Sequence, residues 1–146
     1  MNRELASKIA FSYLGKPYIW GGDDPLGGFD CSGFVIEILR SVGILSRDGD
    51  WTAQGLWNLF TQHRVSKPAV GCLVFYRGAS DERSRIVHVE YCLDEHHSIG
   101  ASGGGSSTQQ LTDAIVTNAF VKVRLITGRS NIAGYVDPFE LGVTLS

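Results

Sequence analysis

The chain has 146 residues, 43% of them apolar and 19% charged, and a formal net charge of −2. That length and composition fit one globular domain over residues 1–146 and exclude a disordered chain; the near-neutral balance gives no electrostatic reason to bind nucleic acid. No apolar run approaches the ~20 residues of a membrane-spanning helix, so no membrane span is expected. Met1–Ala10 mixes charges without the basic-then-apolar order of a secretory signal.

Residues Arg3–Leu14 carry Leu5, Ala6, Ile9, Ala10 and Tyr13 at helical spacing, which predicts a first helix ended by Gly15 and Pro17. Tyr18–Gly28 is too rich in Gly and Pro for a regular element. A second helix is expected from Asp30 or Cys31, with Cys31, Phe34, Val35, Ile38, Leu39 and Val42 on one stripe and Gly43 as its stop. Thr52 is placed to cap a third helix over Ala53–Phe60. After Pro68 the period changes. Cys72–Tyr76, Ile86–Leu93, Ser98–Ala101, the alternating run Val121–Leu125, and Ile132–Val136 read as strands, and Gly103–Ser107 reads as a mobile loop. Within Ile86–Leu93, alternation puts Val87, Val89 and Tyr91 on one face and His88, Glu90 and Cys92 on the other. Helices first and strands after predict the α+β class, with N-terminal helices packed on a small antiparallel sheet.

Cys31, Cys72 and Cys92 are the cysteines. An odd number at wide spacing is no disulfide framework, and the lack of a CxxC pair gives no zinc signature; no metal and no cofactor is expected. Cys72 and Cys92 read as small buried apolar residues. Cys31 differs because it opens a helix, where free N–H groups and the helix dipole favour a thiolate and a lowered thiol pKa. A thiol nucleophile needs a base. Of His63, His88, His96 and His97, only His88 lies inside a predicted strand, on the face away from Val87 and Val89. A cysteine at a helix start and a later strand histidine form the Cys–His arrangement of papain-like hydrolases.

The segment Gly15-Lys16-Pro17-Tyr18-Ile19-Trp20-Gly21-Gly22, followed by Phe29-Asp30-Cys31-Ser32-Gly33-Phe34-Val35, resembles the opening of the NlpC family of papain-like cell-wall cysteine peptidases. Gly71-Cys72-Leu73-Val74-Phe75-Tyr76 and His88-Val89 are similar to that family's strand pair, so the resemblance runs from about Leu5 to Ser102. It implies a papain-like fold and hydrolysis of an amide in a peptidoglycan stem peptide or muropeptide, typically between γ-D-glutamate and a diamino acid. Cys31 would attack the carbonyl, His88 would carry the proton, and the Cys31 N–H would help hold the oxyanion. Tyr18, Asp30 and Ser32 match family positions that line the substrate site, with the Asp30 carboxylate suited to the free amine of the first stem alanine. Asp30 is also an ordinary N-cap residue, and Trp20 is expected in the core.

Two positions depart from the resemblance. The family usually carries a third polar residue, often His, twelve residues after the base and before an Ala-Ser pair; here Gly100 precedes Ala101-Ser102. Among substitutes for it, Glu90 is expected to lie beside the His88 ring rather than cap it. Cys72 stands where the family usually has Asp and reads as structural. Arg83 and Arg85 read as a solvated loop. The leading expectation is an active cysteine peptidase. The second is a weak or inactive peptidoglycan-binding or structural module of a phage tail or wall-associated assembly, because Gly100 removes an orienting side chain. A related amidase or acyltransferase with the same pair is the third. The expected location is cytoplasmic or phage-associated, with action on the cell wall.

Overall fold

A computed structural model describes residues 2–24, 27–78 and 85–140. Helix α1 (Asn2–Ser12) is followed by the short hairpin β1 (Asp23–Asp24) and β2 (Gly28–Phe29), then by α2 (Cys31–Ser41) and α3 (Ala53–Leu59). Beyond them come β3 (Arg64–Val65), β4 (Leu73–Arg77), β5 (Ile86–Cys92), β6 (His97–Ser102), α4 (Leu111–Thr117), β7 (Phe120–Leu125) and β8 (Ile132–Val136). Six strands form one antiparallel sheet in the order β3-β8-β4-β5-β6-β7, with α2 against β5 and β6. This is the expected α+β arrangement. The helix and strand bounds depart from expectation by a residue or two at their ends, where helices fray and ladders open.

Helix α2 is the centre of the core. Every residue from Cys31 to Leu39 is buried, because one face meets the sheet and the other meets α1 and the loop before it. Phe34 packs edge-on against Phe29 at 5.6 Å and against Tyr13 at 6.3 Å, which joins α1, β2 and α2. At the far end, Tyr91 ties α1 to β5: its hydroxyl donates to the Arg3 carbonyl at 3.1 Å and pairs with the Ser7 hydroxyl at 3.0 Å. Arg3 also forms a two-pronged ion pair with Asp137, both contacts at 2.8 Å. The reverse face of the sheet carries a second, smaller cluster of Cys72, Val74, Tyr76, Cys92 and Ile126. Cys72 and Cys92 are therefore the small buried residues they were read to be.

Several features differ from expectation. Helix α4 has no apolar stripe turned inward: Leu111, Ile115 and Val116 are exposed and only Ala114 is buried, so its periodicity carries no signal. What starts it is the Asp113 carboxylate, which accepts from the Gln110 N–H at 3.1 Å. Gly103–Ser107, read as a loop, lies outside the helices and strands and runs into a turn. Thr108 donates from its amide to the Gly105 carbonyl at 2.9 Å and accepts from the Gly105 amide at 3.1 Å. Val87 leaves the core face to which alternation assigned it and stands half exposed.

Phe34→Ala should empty the junction of α1, β2 and α2. A loss of ~3–5 kcal/mol in urea unfolding is expected; a loss under ~1 kcal/mol would mean that the aromatic junction does not hold the helices together.

Candidate active site

Asp30 builds the start of α2. Its Oδ1 accepts from the Gly33 amide at 2.7 Å and its backbone carbonyl accepts from the Phe34 amide at 3.1 Å, which satisfies two of the donors a helix start leaves open. Its Oδ2 accepts from the Gly21 amide at 3.2 Å, so the same carboxylate fixes the preceding loop. Gly33 lacks a side chain for a physical reason: a Cβ there would stand 2.0 Å from the Gly22 carbonyl oxygen. The Tyr18–Gly22 strap is held on its other side by hydrogen bonds from Tyr18 to Ala119, at 2.9 Å, and from Trp20 to Thr108, at 2.7 Å.

Cys31 is thereby set against β5. Its Sγ lies 3.9 Å from the Val87 carbonyl oxygen, and the nearby amides of Val89 and Ser32 favour its charged form. The thiol is nevertheless not lowered in pKa. Burial, and after it the negative charge of Asp30, push it up to about 12, and the amide contacts offset only part of this. The helix start alone predicts a depressed value. In the folded chain desolvation outweighs it, and the resting sulfur is a thiol.

His88 sits on β5 between the two residues that touch the sulfur. Its ring is buried, 5.7 Å from the Tyr76 ring. Nε2 lies 2.6 Å from Oε2 of Glu90, whose other oxygen accepts from the Ser98 hydroxyl at 2.7 Å. Glu90 is 1% exposed. The side chain expected to lie beside the ring thus caps it. Burial lowers the His88 pKa, and the Glu90 hydrogen bond and charge restore only part of the loss. Burial by itself would raise Glu90, but the His88 contact and the Ser98 hydrogen bond outweigh it and hold the carboxyl below its ordinary value. At neutral pH both directions favour an ionised carboxylate accepting from a neutral imidazole. The tautomer follows: the proton is on Nε2, and Nδ1 is the basic nitrogen.

A cavity of about 650 Å³ opens over Cys31. Tyr18, Asp30, Cys31 and Ser32 all line it, so four of the five residues singled out from the sequence share one wall system; His88 lies behind, on β5. Tyr18 is buried, with Gly104 flat against its ring, where a Cβ would come within 2.3 Å of Cδ1. Trp20 is not a core residue; it is 55% exposed at the cavity rim. Arg85 also lines the cavity, while Arg83 lies outside the described residues. The opposite wall is Asp50, Trp51, Thr52 and Ala53. No spacing pattern pointed to these residues; they arrive through the Thr52 cap of α3 and the bond from the Ile86 amide to the Gln54 side chain at 2.7 Å.

Residues 15–125 match the NlpC/P60 family. The chain belongs to that family. Relatives include the bifunctional muramidase/DL-endopeptidase CwlT of Bacillus subtilis, 39% identical over 59% of this chain, and the probable peptidoglycan endopeptidase LytE of the same organism, 37% identical over 72%. The chain spans only 25% and 29% of those two proteins. Among solved structures, the NlpC/p60 domain of the peptidoglycan hydrolase SagA is 27% identical, with a TM-score of 0.62 over 94% of this chain and 99% of that one. The NlpC/P60 fold is papain-like α+β, and the six-stranded sheet with α2 at its centre is this chain's version of it.

The buried pair should make this NlpC/P60 domain acid-labile. Unfolded, His88 takes a proton near 6.5; folded, its pKa is lower, so stability is full above 6.5 and drains as the pH falls below it. Glu90, held below its ordinary 4.5, adds a loss in the same direction further down. Urea midpoints should fall steadily through this window, and His88→Gln should flatten its upper part. An unchanged slope in that variant would trace the acid sensitivity to another group.

Proposed function

We propose that this domain is a cysteine peptidase that hydrolyses an amide bond in peptidoglycan stem peptides, of the γ-D-glutamyl-diamino acid type. The observation that carries it is the seat of Cys31: a helix-terminal thiol at the floor of an open cavity, touching the backbone on both sides of a buried histidine. Family membership and the endopeptidase names of the relatives support the reaction class.

In this mechanism the Cys31 thiol attacks the scissile carbonyl carbon while its proton passes to Nδ1 of His88. With a resting thiol as nucleophile and a neutral imidazole as base, that transfer is part of the attack, which is general-base catalysis worth roughly 10²–10⁴-fold. The carbonyl oxygen becomes an oxyanion at the start of α2, where the Cys31 amide and the positive end of the helix dipole lower its energy. Collapse returns the proton from His88 to the departing amine and leaves a thioester on Cys31. Water, deprotonated by His88, then releases the acid and restores the thiol. Asp30, Tyr18 and Ser32 receive the substrate: the carboxylate takes the free amine of the first alanine, and the two hydroxyls supply polar contacts beside it. Three donors already bond the Asp30 carboxylate, the Gly33 amide and the Ser32 hydroxyl at Oδ1 and the Gly21 amide at Oδ2, so its orientation is set before substrate arrives.

A non-hydrolytic binding module loses its main ground, since a histidine without an orienting partner was the reason for it and His88 has one. The proposed place of action is the cell wall, reached from the cytoplasm or as part of a phage-associated or wall-associated assembly.

The test is mass spectrometry of a defined stem tripeptide, L-alanyl-γ-D-glutamyl-diaminopimelate, incubated with the protein. Wild type should release the diamino acid, and Cys31→Ala should lower turnover by at least ~10³-fold while keeping the melting temperature within a few degrees. Acetylating the alanine amine should raise KM far more than it lowers kcat. Turnover by Cys31→Ala within about tenfold of wild type would overturn the mechanism.

A further inference from the structure

We propose that Glu90 is the positioning residue of the catalytic pair, and that Gly100 is the gap on the neighbouring strand that admits its side chain. The inference rests on His88 being the base, as set out above, and concerns how this chain holds that base.

Two residues apart on a strand, His88 and Glu90 point the same way and normally stand side by side. Here the carboxylate bends back onto the ring, and the neighbouring strand explains why. The β5–β6 ladder pairs Tyr91 with Ile99 and Cys92 with Ser98; one step further it sets Glu90 opposite Gly100. A Cβ at Gly100 would lie 2.6 Å from Glu90 Cγ, 3.0 Å from Cδ and 3.2 Å from Cβ. The Glu90 side chain therefore lies across the bare Cα of Gly100, in the volume a side chain on β6 would fill. From that position one oxygen reaches Ser98, next but one along β6, and the other reaches Nε2 of His88. Glu90 and Gly100 form one unit: the orienting group comes from β5, and the residue opposite has given up its own side chain to make room.

The choice of group matters chemically. A carboxylate buried to 1% exposure is costly unless it is paired, and a neutral residue would fill the space more easily. What the ion adds is a negative charge 2.6 Å from Nε2. It fixes the Nε2–H tautomer and leaves Nδ1 free for the thiol proton. As that proton arrives, the ring becomes an imidazolium already facing its counter-ion, so the gain falls in the transition state rather than in substrate binding. The other charged groups acting on the ring are Arg124 on β7 and Arg129 beyond it, and both oppose protonation. Tyr76 of β4 covers one side of the ring. Glu90 is the group that favours the imidazolium.

The experiment compares Glu90→Gln, Ser98→Ala, Gly100→His, Glu90→Gly and the double variant Glu90→Gly/Gly100→His in the full chain. Two readouts are used: kinetics on the stem tripeptide, and an NMR titration of the His88 ring, which needs no substrate. Glu90→Gln should lower kcat by roughly 10–100-fold with KM within about twofold, and should move both the His88 titration and the acid limb of the rate profile to lower pH. Ser98→Ala should do the same more weakly. Gly100→His alone should lower the melting temperature and give no gain in kcat, because its Cβ meets Glu90. The double variant should recover at least part of the kcat that Glu90→Gly loses, which a purely structural glutamate would not allow. An unmoved His88 titration in both Glu90→Gln and Ser98→Ala overturns the proposal, as does a gain in kcat in a stable Gly100→His protein. A wild type that leaves the tripeptide intact while Glu90→Gln still shifts the His88 titration would overturn the peptidase reading and support the positioning role.

Discussion

The structure turns on an edge of β5 that its neighbour does not cover. Cys92 donates from its amide to the Cys72 carbonyl, just before β4, so alternation turns the backbone groups of His88 and Glu90 toward β4 and those of Val87 and Val89 toward β6. The β5–β6 ladder pairs only Tyr91 with Ile99 and Cys92 with Ser98, which leaves the edge at Val87 and Val89 open to the start of α2. Unpaired strand groups are costly when buried, and Cys31 meets this edge: its thiol donates to the Val87 carbonyl at 3.9 Å, with the Val89 amide nearby. One contact thus docks the central helix, satisfies the split in the sheet, and sets a thiol beside the strand that carries the histidine.

Close backbone approach makes the rest of the site. The Gly22 carbonyl can lie over the first turn of α2 only because Gly33 has no Cβ, and the Asp30 carboxylate then bonds both segments. The same device recurs under Tyr18, where Gly104 lies flat on the ring, and under Glu90, where Gly100 does. In each case a glycine lets a side chain or loop occupy space that any other residue would take.

Electrostatics in the site run against the simplest expectation from a helix terminus. The dipole favours a thiolate, but a buried sulfur next to the Asp30 carboxylate loses more from desolvation and like charge than the dipole returns. In the proposed mechanism the burden of activation therefore falls on the imidazole, which the Glu90 carboxylate faces at 2.6 Å.

The sequence by itself determined the α+β class, all three N-terminal helices, five of the sheet strands and the family, because helical and strand periodicity are local and the Gly15–Gly22 and Phe29–Val35 segments carry the family's pattern around a capped helix start. It also determined that Cys72 and Cys92 are core residues. It did not reveal α4, whose apolar residues face outward, nor the exposure of Trp20, since an aromatic residue in a glycine-rich strap packs inward or outward according to what lies across from it. Only the tertiary structure decided the role of Glu90. Read along β5, a glutamate two residues from a histidine is a neighbour on the same face. Its reach to the ring depends on the missing side chain at Gly100 and the hydroxyl at Ser98, both on a strand whose register with β5 is set by packing rather than by any local pattern.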